Sequence, residues 1–94
     1  MSTYITVSIG NTDNKLTQQE WHDFVDDMND LMEASGKVHF FGGSPTYAKW
    51  QNVAWILEIP EIVDIHAVIN RIKLIRSMWE QESAFVLIGD GVFL

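Results

Sequence analysis

Lys37-Val38-His39-Phe40-Phe41 and Asn52-Val53-Ala54-Trp55-Ile56-Leu57-Glu58-Ile59 are two strand-like stretches with no helical pattern between them. In the second, Val53, Trp55, Leu57 and Ile59 share one phase while Ala54, Ile56 and Glu58 share the other. That period of two marks a pleated strand with two unlike faces. Gly42-Gly43-Ser44-Pro45 ends the first stretch and Pro60 closes the second. A strand and a helix precede this pair, and a helix and a strand follow it. The order is strand, helix, strand, strand, helix, strand.

Upstream, Tyr4-Ile5-Thr6-Val7-Ser8-Ile9 alternates polar and apolar, and residues 10–14 read as a turn. Thr17 is a helix N-cap, and Glu20 three residues on completes a capping box. Leu16 and Trp21 sit where a hydrophobic staple joins them. Trp21, Phe24, Val25, Met28, Leu31 and Met32 fall on one helical face, and Gly36 is the stop. Downstream, Asp64 caps a second helix whose stripe is Ile65, Val68, Ile69, Ile72, Ile75 and Trp79. Ala84-Phe85-Val86-Leu87-Ile88 is a last strand, apolar in both phases, broken by Gly89-Asp90-Gly91.

The 94 residues make a single α+β domain, residues 1–94. Two strand–helix–strand halves joined by right-handed crossovers give a ferredoxin-like βαββαβ sandwich. Its four-stranded antiparallel sheet carries both helices on one face, with the first and third strands central. This element order resembles that of the dimeric α+β barrel proteins, which include small cofactor-free monooxygenases. The resemblance implies dimers through the open sheet face and a pocket between sheet and helices. It carries over no site residue: Trp55 falls inside a strand and His66 inside the second helix, off the positions that often mark such enzymes.

Composition excludes several classes of function. There is no cysteine, which removes disulfides, iron–sulfur clusters, thiolate metal sites and cysteine nucleophiles. Thirteen acids against six bases give a net charge of −7, which disfavours binding to a phosphate backbone. Such a chain meets basic protein surfaces or metal ions more readily than nucleic acid or membranes. The N-terminus lacks a basic region followed by an apolar run, and no run approaches the ~20 residues of a membrane span. A cytoplasmic protein is expected, with no cofactor.

Three surfaces are candidates for function. The sheet face left uncovered by helices would show Tyr4, Thr6, His39, Phe41, Ile56 and Glu58, with Ser8 and Ala54. This is apolar for a surface in water, and such patches commonly mark interaction sites. The alternative is that residues 91–94 fold back over it. The outer face of the first helix gathers Glu20, Asp23, Asp26, Asp27, Asp30 and Glu33 with no Lys or Arg in that helix. It is either a docking face for a basic partner or a solvated surface. Residues 42–51 form a connection longer than most hairpin loops, holding Ser44, Tyr47, Lys49, Trp50 and Gln51. That set can stack on a planar ligand, or Tyr47 and Trp50 can seal one end of the core.

No metal site is expected: His22 and Asp26 stand at i,i+4, but a third ligand is not evident. His39 and Glu58 on neighbouring strands are the one pair suited to acid–base work. Arg71, Lys73 and Arg76 on the second helix are too few for a nucleic-acid footprint. The first expectation is a small acidic, non-enzymatic interaction protein. It would act as a homodimer or dock a protein partner, one version being a phage-type or accessory inhibitor of a basic site. The competing expectation is a small-molecule binder or cofactor-free enzyme with a pocket near Trp50, His39 and Glu58.

Overall fold

A computed structural model describes residues 2–11, 15–44 and 51–94. Its elements are β1 (Thr3–Gly10), α1 (Gln18–Ser35), β2 (Lys37–Gly43), β3 (Asn52–Ile59), α2 (Ile65–Met78) and β4 (Phe85–Asp90). The strands form one antiparallel sheet in the order β2-β3-β1-β4. β1 and β3 are central, each crossover passing over the neighbouring central strand to reach an edge. Both helices lie on one face, so the architecture is the ferredoxin-like α+β sandwich.

α1 starts where its capping signals put it. The Glu20 backbone N–H donates to Thr17 Oγ1 at 3.2 Å, and the Thr17 N–H donates to Glu20 Oε1 at 2.9 Å. Those two bonds satisfy amides that a bare helix start leaves unpaired. Leu16 and Trp21 are both buried in the core, and Phe24, Met28, Leu31 and Met32 continue the stripe. Gly36 ends the helix for a different reason from the one its position suggests. Its backbone is extended (φ −176°) rather than left-handed. A side chain there would run into the carbonyl oxygen of Glu58, so glycine lets the chain turn out of α1 hard against β3.

α2 begins at Asp64, whose carboxylate accepts from the His66 N–H at 2.9 Å. Val68 and Ile72 are buried, with Ile65, Ile75 and Trp79 packed at the margin of the core. Just past the helix Glu80 adopts φ 55°, a left-handed position that favours glycine. Arg76 braces this turn by donating to the carbonyls of Gln81 (2.7 Å) and Glu82 (3.2 Å).

Ile5, Val7 and Ile9 of β1 meet Trp55, Leu57 and Ile59 of β3 under the helices. Polar groups in this layer have partners. Trp55 Nε1–H donates to Asn29 at 2.8 Å and Trp79 Nε1–H to Asp27 at 2.9 Å. Asn11 is 1% exposed; it exchanges bonds with the backbone of Leu16 and donates to Gln51 Oε1. Leaving such groups unpaired would cost about 1–3 kcal/mol each.

β2 contains a bulge. Pairing jumps from Val38↔Leu57 to Phe40↔Ile56, leaving His39 as the extra residue. Beyond it the side-chain phase is inverted relative to plain alternation. Phe40, not Phe41, joins the open face; Phe41 pairs with Trp55 on the helix side and stacks on its ring (5.2 Å, 27°). Placement of Phe41 on the open face is thus corrected, and the extra residue is the reason.

Candidate functional site

The register sorts the open sheet face into three cross-strand rungs. The first is Lys37–Glu58–Tyr4–Gly89, the second Phe40–Ile56–Thr6–Leu87, and the third Gly42–Ala54–Ser8–Phe85. The rungs differ in chemistry: polar, then large and apolar, then mostly small.

In the second rung Phe40 is 50% exposed and Leu87 59%, with Ile56 between them on the adjacent central strand also exposed. Phe85 at the end of the third rung is 60% exposed. Large apolar side chains stand on three of the four strands of this face, Phe40 on β2, Ile56 on β3, and Leu87 and Phe85 on β4, with Thr6 of β1 between Ile56 and Leu87; such a group differs from isolated surface leucines.

The first rung is organised around Glu58. His39 Nε2 lies 3.0 Å from Glu58 Oε1 on the open face. Hydrogen bonds from Ser2 and then from His39 hold the Glu58 carboxyl below its ordinary value, against a weaker opposing effect of burial. Burial, followed by the Glu58 charge and hydrogen bond, raises the Tyr4 phenol. Phe93 comes over this end, edge-on to Tyr4 (6.1 Å) and tilted against His39 (5.3 Å). Gly91 lets the chain pass there, since a methyl would press on the Tyr4 ring. Tyr4, His39, Ile56, Gly91, Val92 and Phe93 line a cavity of about 320 Å³. Gly91 and Phe93 therefore lie against the polar end of the open face, while Phe40 and Leu87 of the second rung stay exposed.

The acidic face of α1 is largely committed to local bonds. Glu20 closes the capping box, which lowers its carboxyl through hydrogen bonds from Thr17. Asp23 accepts from Gln19, Glu33 from Asn29, and Asp26 pairs with His22 at 3.2 Å. Asp27 turns toward α2 to receive Trp79. Asp30 is exposed. Asp23 also supplies what the i,i+4 spacing lacked: ligand atoms of His22, Asp23 and Asp26 lie within 4.8 Å of one another. Its neighbouring position in sequence was the available signal, and this set could hold a metal ion.

In the loop after β2, Ser44 closes the β2–β3 hairpin with Asn52, through its hydroxyl and its backbone N–H. Gln51 is buried and bonded to Asn11 and Gln18. Both are tied into structure. Tyr47, Lys49 and Trp50 lie outside the described residues. The aromatic and acid–base groups that the structure does gather are Tyr4, His39, Glu58 and Phe93. Folding back of residues 91–94 was one of the two sequence alternatives, but the contact of Phe93 with Tyr4 and His39 carries no local signal.

No family model and no curated protein matches this chain. Among solved structures it is similar to a dimeric ferredoxin-like protein from an uncultured marine organism. That similarity has a TM-score of 0.51 at 9% identity, over 99% of this chain and 91% of the other. At such identity the likeness shows the fold alone. No helix among the described residues is long and apolar enough to cross a membrane.

Proposed function

We propose that this chain is an acidic interaction module that pairs with a second copy of itself through the open sheet face. The observation carrying this reading is the exposed apolar rung Phe40–Ile56–Thr6–Leu87. Beside it runs the third rung, small at Gly42, Ala54 and Ser8. A ridge next to a trough on one face is self-complementary under a two-fold rotation, the commonest symmetry of homodimers. Four strands ~4.8 Å apart and six residues at ~3.4 Å each give a flat footprint of about 400 Å². Side-chain relief and the exposed Val92 and Leu94 raise that toward the ~600 Å² per partner of the smaller stable interfaces. The similar marine structure is itself a dimer, which supports the reading without identifying the interface.

Sedimentation equilibrium at two salt concentrations tests the proposal. The expected result is twice the 10.8 kDa chain mass, insensitive to salt because the contact is apolar. Phe40→Lys with Leu87→Lys should give a folded monomer. A wild-type monomer at high micromolar concentration overturns the reading.

A further inference from the structure

The polar rung carries a second arrangement, complete within one chain, although Ile56 and Val92 beside it also belong to the face proposed to pair. Glu58 is an ionised acceptor, so the His39 nitrogen facing it, Nε2, carries the proton. Glu58 also takes hydrogen bonds from Ser2 and Tyr4 and lies near the positive charge of Lys37. Its oxygens are thus occupied while it keeps its negative charge. In the neutral imidazole the remaining nitrogen, Nδ1, is an acceptor with its tautomer fixed by a carboxylate, the arrangement that makes histidine a directed base.

This imidazole is part of the wall of the cavity beside Phe93. The other walls are the Tyr4 ring, Ile56, Val92, Phe93 and the Gly91 backbone, which are apolar or aromatic. At about 320 Å³ the space is at the lower end of the range for small-ligand sites. Aromatic edges and faces on several sides favour a flat ring. The nearby Glu58 carboxylate disfavours an anion. A cation finds that carboxylate already bonded to Ser2, Tyr4 and His39. What the wall lacks is a donor for an imidazole nitrogen. We infer that this cavity binds a flat, neutral aromatic or enolic molecule whose hydroxyl donates to His39, with Phe93 closing over its ring.

The test uses 2-naphthol as probe and 2-methoxynaphthalene, which has nearly the same shape but no donor, as its control. Both are titrated into the wild-type chain and into Leu87→Lys, with histidine ring resonances followed by NMR and affinity by calorimetry. The expected result is saturable 2-naphthol binding in both proteins. The His39 resonance should shift while those of His22 and His66, on the helices, do not. The methyl ether should bind at least about tenfold more weakly, as expected for loss of one well-formed hydrogen bond. His39→Leu, which offers no acceptor, should abolish the difference between the two probes. Equal affinity for the ether, or no saturable binding in either protein, overturns the inference. Binding only in the wild type would show that the site needs a second copy, and would also overturn the single-chain site.

Discussion

The two faces of the sheet are made by the same strands, yet they are finished to different degrees. On the helix side Ile5, Val7, Trp55 and Leu57 are wholly inaccessible, and the indole N–H of Trp55 has a partner on α1. On the other side Phe40, Ile56, Leu87 and Phe85 are left in water, while only the Tyr4–His39–Glu58 end is sheltered by Phe93. The contrast separates residues that pay for folding from residues available for contact. A face closed by the chain's own helices contributes stability whatever the protein does. A face left open and apolar contributes little to the single chain and gains most when covered.

Substitutions on the two sides should therefore diverge. The largest effect is expected from Trp55→Ala: about 3–5 kcal/mol of stability lost in chemical denaturation, from the cavity and the stranded Asn29 acceptor. Next comes Gly36→Ala, expected to cost about 3 kcal/mol because the new methyl meets the Glu58 carbonyl, a backbone atom that cannot swing aside. If either change proves as mild as a surface substitution, the helix-side layer is looser than described.

The open face gives smaller and different signals. Ile56→Ser should change stability by no more than about 0.5 kcal/mol in the monomeric Phe40→Lys, Leu87→Lys background, while weakening self-association in the wild type. A loss of several kcal/mol in the monomer would mean that the open face is part of the core.

Acid should read out the polar rung. Glu58 and Glu20 are both held below the ordinary 4.5. Their contribution is fully present above that value, and it is lost as pH falls through their lowered folded values, because the unfolded chain takes up protons first. Tyr4 runs the other way. Its folded value lies above 10.0, so its contribution is present below pH 10 and is lost as the solution becomes more alkaline. Thermal melts across this range should show a plateau with a fall at each end, and Glu58→Gln should flatten the acid fall. A gain of about 0.5–1 kcal/mol is expected for Glu80→Gly, which relieves a left-handed residue in the turn after α2.

Much of the helix-side layer could be read from residue order. The alternation of β1, the Thr17–Glu20 capping box, the stripe of α1 and the Asp64 cap are local signals, and each lies where it was expected. The readings that changed depend on contacts between distant segments. Val38-His39-Phe40-Phe41 fits either phase until pairing with β3 inserts the bulge, and then Phe40 and Phe41 exchange faces. Gly36 looks like an ordinary helix stop, but Glu58 of β3 is what requires glycine there. Asn11 and Gln51 look like loop residues, and each is buried because the other reaches it from 40 positions away. The acidic run of α1 looks like one charged surface until Trp79 draws Asp27 toward α2. The candidate site combines both kinds of signal: His39 and Glu58 were legible as neighbours across strands, whereas folding back of residues 91–94 was only one of two alternatives, and where Phe93 lands was not legible.

The strand order also bears on how the chain is made. β1, near the start of the sequence, is hydrogen-bonded on one side to β3 and on the other to β4, with Val7 opposite both Trp55 and Val86. During synthesis Ile5, Val7 and Ile9 emerge long before either neighbour, and the second flank stays unfilled until residues 85–90 have been translated. Such distant pairings slow folding and leave an apolar strand exposed on the nascent chain. The capping box and staple of α1 are local and can form early, giving β1 a first apolar surface to lie against while the rest of the sheet is still being synthesised.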